Sequence, residues 1–178
     1  MTIEVAADGS HRVTIDTPIE IRRAALEDLE AMSELWGPER RIAQRRVLRR
    51  YFDEQRQNVQ SGLVATFNGA LVGQLWIRHR HLDRGIADGR RAAYLHTLIV
   101  APSFRRLGIA EALTRAASNE AEARGADVLT IGVDGPNAYA RRLYEKWGFH
   151  AYHATTDLRG ELVFLRRRSY GARPDARP

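Results

Sequence analysis

A short segment from Arg105 to Ala110 has residue types and a spacing suited to binding phosphate. It reads Arg-Arg-Leu-Gly-Ile-Ala and lies between an apolar run ending at Val100 and an amphipathic run ending at Arg124. The first turn of a helix carries unpaired backbone NH groups and a partial positive charge, and Gly108 would let a phosphate approach that backbone closely. The segment therefore predicts a diphosphate-binding turn at the start of a helix.

Two other kinds of phosphate loop are absent from the sequence. It contains neither Gly-x-x-x-x-Gly-Lys-Ser/Thr nor Gly-x-Gly-x-x-Gly, which argues against nucleoside triphosphate and ordinary dinucleotide binding. Taken alone, Arg-x-x-Gly-x-Ala is more often only a helix start packed against a strand. A function therefore needs support from a second motif.

That second motif lies between Asn137 and Phe149. It reads Asn-Ala-Tyr-Ala-Arg-Arg-Leu-Tyr-Glu-Lys-Trp-Gly-Phe. With both motifs in this order, the chain resembles the GCN5-related N-acetyltransferases, tightly over Tyr94 to Phe149 and loosely before it. The resemblance implies an acyltransferase that binds acetyl-CoA in a gap between two splayed central strands.

The resemblance also implies a role for each residue of the motifs. The backbone of Leu98, Ile99 and Val100 would hold the pantetheine arm and the acetyl group, and the NH of Ile99 or Val100 would polarise the thioester carbonyl. Asn137 would bond the cofactor arm. The diphosphate would lie on Arg105, Arg106, Leu107, Gly108, Ile109 and Ala110.

Acyl transfer to an amine needs a proton donor for the departing thiolate. Tyr144, in Leu-Tyr-x-x-x-Gly-Phe, matches the family's tyrosine near the sulfur and is the candidate acid, which would also contact the cofactor. Because Tyr144 shares a helical face with Ala140 and Leu143, a purely structural role stays open.

The candidate base is His96. Many family members carry a carboxylate on this strand, whereas this chain has a histidine, as do the similar arylalkylamine N-acetyltransferases. An imidazole, with an ordinary pKa of about 6.5, can accept an ammonium proton directly or through water. We expect His96 to share a strand face with Tyr94 and Leu98; a hydrogen-bonded core histidine is the alternative.

Alternating strands and helices must position these residues, and the fold class is α/β (α+β). Apolar periodicity predicts strands at Ile19–Arg23, Leu63–Phe67, Ala70–His79, Ala92–Val100, Asp127–Val133, Phe149–Ala154 and Glu161–Arg166. It predicts helices at Leu26–Trp36, within Glu39–Gln60 with a break allowed, at Arg106–Arg124, and from Pro136 to Gly148. Asn68-Gly69 predicts a two-residue hairpin turn. We expect a mixed central sheet splayed between the strands Ala92–Val100 and Asp127–Val133, flanked by helices.

The 178 residues fit a single domain. We place the N-acetyltransferase domain at residues 18–168, an N-terminal extension at 1–17 and a tail at 169–178, with frayed ends at Met1–Thr17 and Ser169–Pro178.

Composition excludes several classes of protein. Without cysteine there are no disulfides, Cys-based zinc sites or cysteine acyl-enzymes, and no metal site is expected from His79 and His81 alone. No apolar run reaches the roughly 20 residues of a membrane span, and no secretory signal is evident, so we expect a cytoplasmic protein without membrane contact.

Charge gives a weaker indication of partners. The net charge is +6, and nearly all basic residues are arginine, which suits an anionic partner but also serves solubility. The arginines between Arg40 and Arg50 alternate with apolar residues, which indicates a charged outer helix face rather than nucleic-acid binding. A homodimer stays open.

The predicted reaction is direct transfer of acetyl from acetyl-CoA to a primary amine in a ternary complex. The acceptor is a small-molecule amine, or a protein N-terminus or lysine; a non-catalytic acetyl-CoA sensor is the alternative from another class. We expect the first helices and the loop Asp83–Arg90 to form the acceptor pocket. Its candidate ammonium partners are Glu34, Glu39, Asp53, Glu54 and Asp83.

Overall fold

A computed structural model describes the backbone of residues 2–5 and 11–14, and backbone and side chains of residues 19–80, 86–88, 90–157 and 160–168. The strands in these ranges are β1 Thr2–Val5, β2 His11–Thr14, β3 Glu20–Arg23, β4 Gln60–Phe67, β5 Ala70–Arg78, β6 Ala92–Val100, β7 Val128–Asp134, β8 His150–Asp157 and β9 Gly160–Arg168. The α-helices are α1 Leu29–Glu34, α2 Arg41–Arg56, α3 Ile109–Ala123 and α4 Ala138–Lys146. Short 3₁₀ turns precede α1 and α3, at Leu26–Asp28 and Pro102–Phe104.

Seven strands form one mixed sheet in the order β3-β4-β5-β6-β7-β9-β8. Its neighbouring strands are antiparallel except for β6 and β7, which are parallel and joined by α3. A parallel pair needs such a crossover because its strands run in the same direction. The predicted α/β architecture with a mixed central sheet is confirmed.

Helices cover both faces of this sheet. On one face, α3 packs through Ile109, Leu113, Ala117 and Ala121, and α4 adds Tyr144 to the same cluster. These α3 residues recur at the spacing of one helical face, as the sequence predicts.

The opposite face carries a second cluster, in which α1 and α2 close over Trp76 of β5. Neighbouring β5 residues Leu75 and Ile77 belong to the first cluster, because successive side chains of a strand point to opposite faces. The core is therefore divided by the sheet into two layers.

The hairpin turn at Asn68-Gly69 is confirmed, with φ of 49° and 77° as a type I′ turn requires. The allowed break in the second helix is absent, since α2 runs from Arg41 to Arg56. The first predicted helix is divided into a 3₁₀ turn and the short α1. None of the helices in the described ranges is long and apolar enough to cross a membrane.

Two predictions, one about the start of a helix and one about the N-terminal segment, were wrong. The third helix begins at Ile109 instead of Arg106, because Arg106 and Gly108 have φ of 65° and 78°, which an α-helix does not allow. The N-terminal end is not simply frayed, because β1 and β2 pair and satisfy each other's backbone groups. The predicted tail at 169–178 lies outside the described residues, and the domain bounds stay a prediction.

Candidate active site

The central strands β6 and β7 separate part-way along their length. They pair from Ala92 opposite Val128 to Leu95 opposite Ile131, and β6 then continues to Val100 paired only with β5. Along Leu98–Val100, no described strand pairs with the β7-facing edge of β6. The predicted splay is thus confirmed, and it leaves backbone NH and C=O groups that a ligand can bond.

A cavity of about 710 Å³ opens at this separation, on the face that carries α3 and α4. It is lined by Leu98, Ile99, Val100, Phe104, Arg105, Arg106, Gly108, Ile109, Ala110, Glu111, Asn137, Tyr139, Ala140, Leu143, Tyr144, Lys146 and Trp147. We call it the cofactor-side cavity. Of the predicted cofactor-binding residues it brings together all but Leu107, whose side chain is 54% exposed and does not line it.

The start of α3 forms one wall of the cofactor-side cavity. Gly108 is the N-cap and has no capping side chain, so the first NH groups of the helix are not bonded by the cap residue. A Cβ built on Gly108 would meet nothing within 4 Å, so the space in front of these groups is open. This geometry suits a bound phosphate.

Asn137 stands at the start of α4 on the same cavity. Its Oδ1 accepts a hydrogen bond from the NH of Ala140 at 3.1 Å and caps the helix. The amide NH₂ of Asn137 is therefore the group that is left to donate to a ligand.

Tyr144 both packs in the core and lines the cavity. It is 9% exposed, and its ring centroid lies 5.8 Å from that of Trp147, which lines the same cavity. Burial raises the pKa of the Tyr144 phenol to about 12. The hydroxyl therefore keeps its proton at neutral pH and can act as a donor.

His96 does not line this cavity. It lies in a second pocket of about 460 Å³, together with Arg50, Tyr51, Glu54, Arg78, Tyr94 and Thr97. We call this the polar pocket.

A β-bulge explains why the shared face predicted for His96 and Leu98 was wrong. His96 pairs with Trp76 and Ile99 with Gln74, so Thr97 and Leu98 together oppose a single β5 residue. The extra residue, with Thr97 at φ 56°, reverses the alternation. Leu98 packs in the cluster under α3, whereas the His96 ring stacks on Tyr94 at 5.6 Å in the polar pocket.

Hydrogen bonds fix the His96 ring. Gln60 donates from Nε2 to the carbonyl of Tyr51, which turns its Oε1 towards His96 Nε2 at 3.0 Å. In the neutral imidazole, Nε2 therefore carries the hydrogen and Nδ1 accepts from the Thr97 hydroxyl at 3.0 Å. The basic nitrogen faces Thr97.

Tyr94 is a further functional candidate, which the sequence pattern alone did not indicate. A Cβ on Gly132 would lie 2.8 Å from the Tyr94 hydroxyl, so this oxygen lies over β7 one residue beyond its last pair with β6. Burial and the neighbouring Tyr51, Tyr144 and Tyr152 raise the Tyr94 pKa to about 12. A glycine inside a predicted strand was the available signal, because it often marks a close approach.

The predicted ammonium partners lie mostly elsewhere. Glu54 lines the polar pocket, but Arg78 forms an ion pair with it, and Arg50 Nε lies 3.9 Å from its Oε1. Glu34 pairs with Arg41 and Asp53 with Arg56, while Glu39 is exposed. Asp83 lies outside the described residues.

His79 serves a structural network rather than either cavity. Its Nε2 lies 2.9 Å from Ser61 Oγ, which donates to Glu120. Burial, with Arg124 nearby, lowers the His79 pKa to about 4. No group of three or more potential metal ligands occurs among the described residues, and the predicted neighbour His81 lies outside them.

Comparison with known protein families identifies the family to which this chain belongs. The model of the acetyltransferase (GNAT) family matches residues 27–149, which include both motifs and both cavities. The chain belongs to this family. Acetyl-CoA is the cofactor of the GNAT family.

Two named relatives match over shorter segments. The [ribosomal protein bS18]-alanine N-acetyltransferase of Escherichia coli K12 is 34% identical over 79 residues, covering 41% of this chain and 53% of that protein. Mycothiol acetyltransferase of Beutenbergia cavernae is 34% identical over 82 residues, covering 46% of this chain and 25% of that protein. The aligned segments thus span a quarter to about half of these relatives.

Solved structures share the fold at low identity. The ribosomal-protein-alanine N-acetyltransferase of Brucella melitensis superposes with a TM-score of 0.69 at 22% identity, covering 84% of this chain and 99% of that one. A structure of yncA from Salmonella typhimurium with its cofactor acetyl-CoA gives 0.67 at 22% identity, covering 89% and 98%. At this identity the likeness shows the fold alone.

Proposed function

We propose that this protein is an N-acetyltransferase that moves acetyl from acetyl-CoA directly to a primary amine in a ternary complex. The observation that carries the proposal is the separation of β6 and β7 beside the open start of α3, with Tyr144 and Asn137 on the same cavity. Family membership supports the cofactor, and the residues of this chain fit it.

Each part of acetyl-CoA can be matched to a group in the cofactor-side cavity. The open edge of β6 at Leu98–Val100 offers NH and C=O groups to the amides of the pantetheine arm, as an added strand would. The start of α3, with Arg105 and Arg106 nearby, offers NH groups and positive charge to the diphosphate. Asn137 offers its amide NH₂ to the arm between them.

Different groups of the protein then carry out the separate steps of acetyl transfer. Bound acetyl-CoA supplies an activated acyl group on sulfur. We assign the NH of Ile99 or Val100 to the carbonyl oxygen, where a donor stabilises developing negative charge. The Tyr144 hydroxyl donates its proton to the departing sulfur, for which its high pKa keeps it available.

We assign removal of the proton from the acceptor's ammonium group to a residue of the polar pocket. His96 Nδ1 accepts it, either through the Thr97 hydroxyl or through water, and Gln60 holds the ring for this exchange. Tyr94 extends from this pocket, where its ring stacks on that of His96, to β7 beside Gly132.

The acceptor is a small-molecule amine or a peptide amine. The bS18-alanine acetyltransferase relative supports a peptide N-terminus, and the mycothiol acetyltransferase relative supports a small molecule. We further propose a cytoplasmic protein that binds neither membrane nor nucleic acid, in which a homodimer stays open.

Thermal unfolding and thiol release test the proposal together. A ligand that binds only the native state stabilises it by about 2.7 kcal/mol at a hundredfold excess over Kd, so acetyl-CoA and desulfo-CoA should both raise Tm. Adenosine, which lacks the diphosphate, should raise it much less. No cofactor-dependent shift would contradict the cofactor assignment.

Thiol release from acetyl-CoA across a panel of amines and N-terminal peptides then tests catalysis. We expect release that depends on the acceptor. A clear thermal shift without release for any acceptor would favour a non-catalytic acetyl-CoA sensor instead.

A further inference from the structure

The polar pocket carries more positive than negative charge. Among the described residues that line it, the guanidinium groups of Arg50 and Arg78 accompany one carboxylate, that of Glu54. Arg78 forms an ion pair with Glu54, and its side chain is 21% exposed. One cation therefore remains in excess beside the proposed base.

Arg50 is that cation. Its side chain is 66% exposed, and its Nε lies 3.9 Å from Glu54, a contact at the outer limit of an ion pair. Its guanidinium carbon lies 5.8 Å from the Tyr51 ring centroid, and the Tyr51 ring meets His96 edge-on at 5.1 Å. Arg50 thus stands at the rim of the pocket, one aromatic ring away from His96.

We infer that the acceptor is a primary amine that also bears an anionic group, a carboxylate or a phosphate, and that Arg50 binds this group while the amine reaches His96. The inference rests on the proposed function and narrows its substrate class. A guanidinium presents a planar fork that matches the oxygens of such a group.

The positive charge of Arg50 also affects the reacting amine and any second amine of the acceptor. A second ammonium on the acceptor would be repelled by Arg50, and Glu54 is a poor partner for it because its Oε2 already pairs with Arg78 and its Oε1 lies 3.9 Å from Arg50 Nε. Nearby positive charge also disfavours the protonated amine, which favours the neutral nucleophile that attack requires. The pocket therefore discriminates against diamines and polyamines.

Acceptors of matched length test the inference. We would compare aminohexanoate, aminohexanamide and diaminohexane, and the C-terminally amidated dipeptides Ala-Glu, Ala-Gln and Ala-Lys, by kcat/KM for thiol release. We expect each anionic member to exceed its neutral partner by about tenfold, the size of one hydrogen bond between charged groups, and the cationic member to be poorest. Added salt should reduce the difference in kcat/KM between the anionic and the neutral acceptors, because it screens the charge of Arg50.

Two variants on neighbouring positions locate the effect. Arg50→Gln should raise KM for the anionic acceptors by about tenfold and change KM for the neutral acceptors much less. Arg49→Gln is the matched control, because Arg49 lies on the same helix but lines a separate hollow with Leu26 and Asp53. It should leave the preference intact.

The outcomes separate this inference from the proposed function. Equal kcat/KM for the three members of each set, or a preference for the cationic one, would overturn the anionic acceptor while the acetyltransferase function stands. An unchanged preference in Arg50→Gln would remove Arg50 as its binding group. No release with any acceptor would overturn both.

Discussion

The two cavities lie on opposite faces of one sheet, and one is formed mainly by backbone groups whereas the other is formed by side chains. The cofactor-side cavity is assembled from three short runs of sequence, around Leu98–Val100, Arg105–Glu111 and Asn137–Trp147, and offers backbone groups at a strand edge and a helix start. The polar pocket takes single side chains from α2, β5 and β6. Backbone groups tolerate many sequences, whereas side chains set the charge and shape of a pocket. The same cofactor site can therefore serve acceptor pockets that differ in chemistry.

The largest expected effect is on the cofactor side, in Gly108→Glu. A carboxylate about 4 Å from a phosphate is repelled by about 4 kcal/mol near a protein surface, so acetyl-CoA affinity should fall by about 10³-fold in calorimetry. Gly108→Ala is the control, because it carries the same backbone strain at φ 78°, about 1–2 kcal/mol, without charge. Equal affinities for the two variants would contradict a phosphate site at this helix start.

Tyr144→Phe should separate chemistry from binding on the same side. If its hydroxyl is the acid, kcat should fall by about 10²-fold or more, while the calorimetric Kd for acetyl-CoA stays nearly constant. Full turnover in this variant would return Tyr144 to a purely structural role.

The pH dependence gives an independent test of the same residue. Because burial raises the pKa of Tyr144 to about 12, its proton is retained as pH rises, and the wild-type kcat should not fall between neutral pH and about pH 10. A basic limb at about pH 10 or below that disappears in Tyr144→Phe would show that the pKa of this phenol is not raised.

His96→Gln probes the polar pocket. We expect kcat/KM at neutral pH to fall by about 10²-fold, the low end of what a general base contributes, and the acidic limb of the pH profile to flatten. His150→Gln makes the same change at an exposed histidine of β8 and should leave the profile unchanged. A wild-type profile in His96→Gln would assign deprotonation to ordered water or to an acceptor-side carboxylate.

The smallest expected effect on turnover is in Gly132→Ala, on β7 against the Tyr94 side chain that lines the polar pocket. The new methyl would lie 2.8 Å from the Tyr94 hydroxyl, which should cost about 1–3 kcal/mol of unfolding free energy and raise acceptor KM a fewfold. Denaturant titration measures the first quantity and initial rates the second.

Adding Tyr94→Phe to Gly132→Ala removes the crowded oxygen. The double variant should recover stability relative to Gly132→Ala, giving a coupling between the two positions. Additive losses would show that the Tyr94 hydroxyl does not lie against Gly132.

The difference between the cavities also explains what the sequence could predict. The cofactor-binding segments follow from contiguous residues, because a glycine at a helix start and an asparagine cap act locally. The side of His96 depends on the bulge at Thr97, which is a mismatch in residue count against β5 and is invisible in β6 alone. Likewise, Arg50, Glu54 and Arg78 meet only after α2 packs across β5. The polar pocket therefore depends on pairing between segments that are distant in sequence, which is why its position could not be predicted from the sequence.

The position of Trp147 gives the protein a built-in optical reporter. Its indole forms part of the wall of the cofactor-side cavity, whereas Trp76 is fully buried in the other layer and Trp36 packs against that layer. Cofactor that fills the cavity changes the surroundings of one tryptophan and leaves the other two in place. Intrinsic fluorescence of the unlabelled wild-type chain should therefore follow occupancy of the cofactor side in real time, and Trp147→Phe should silence that signal.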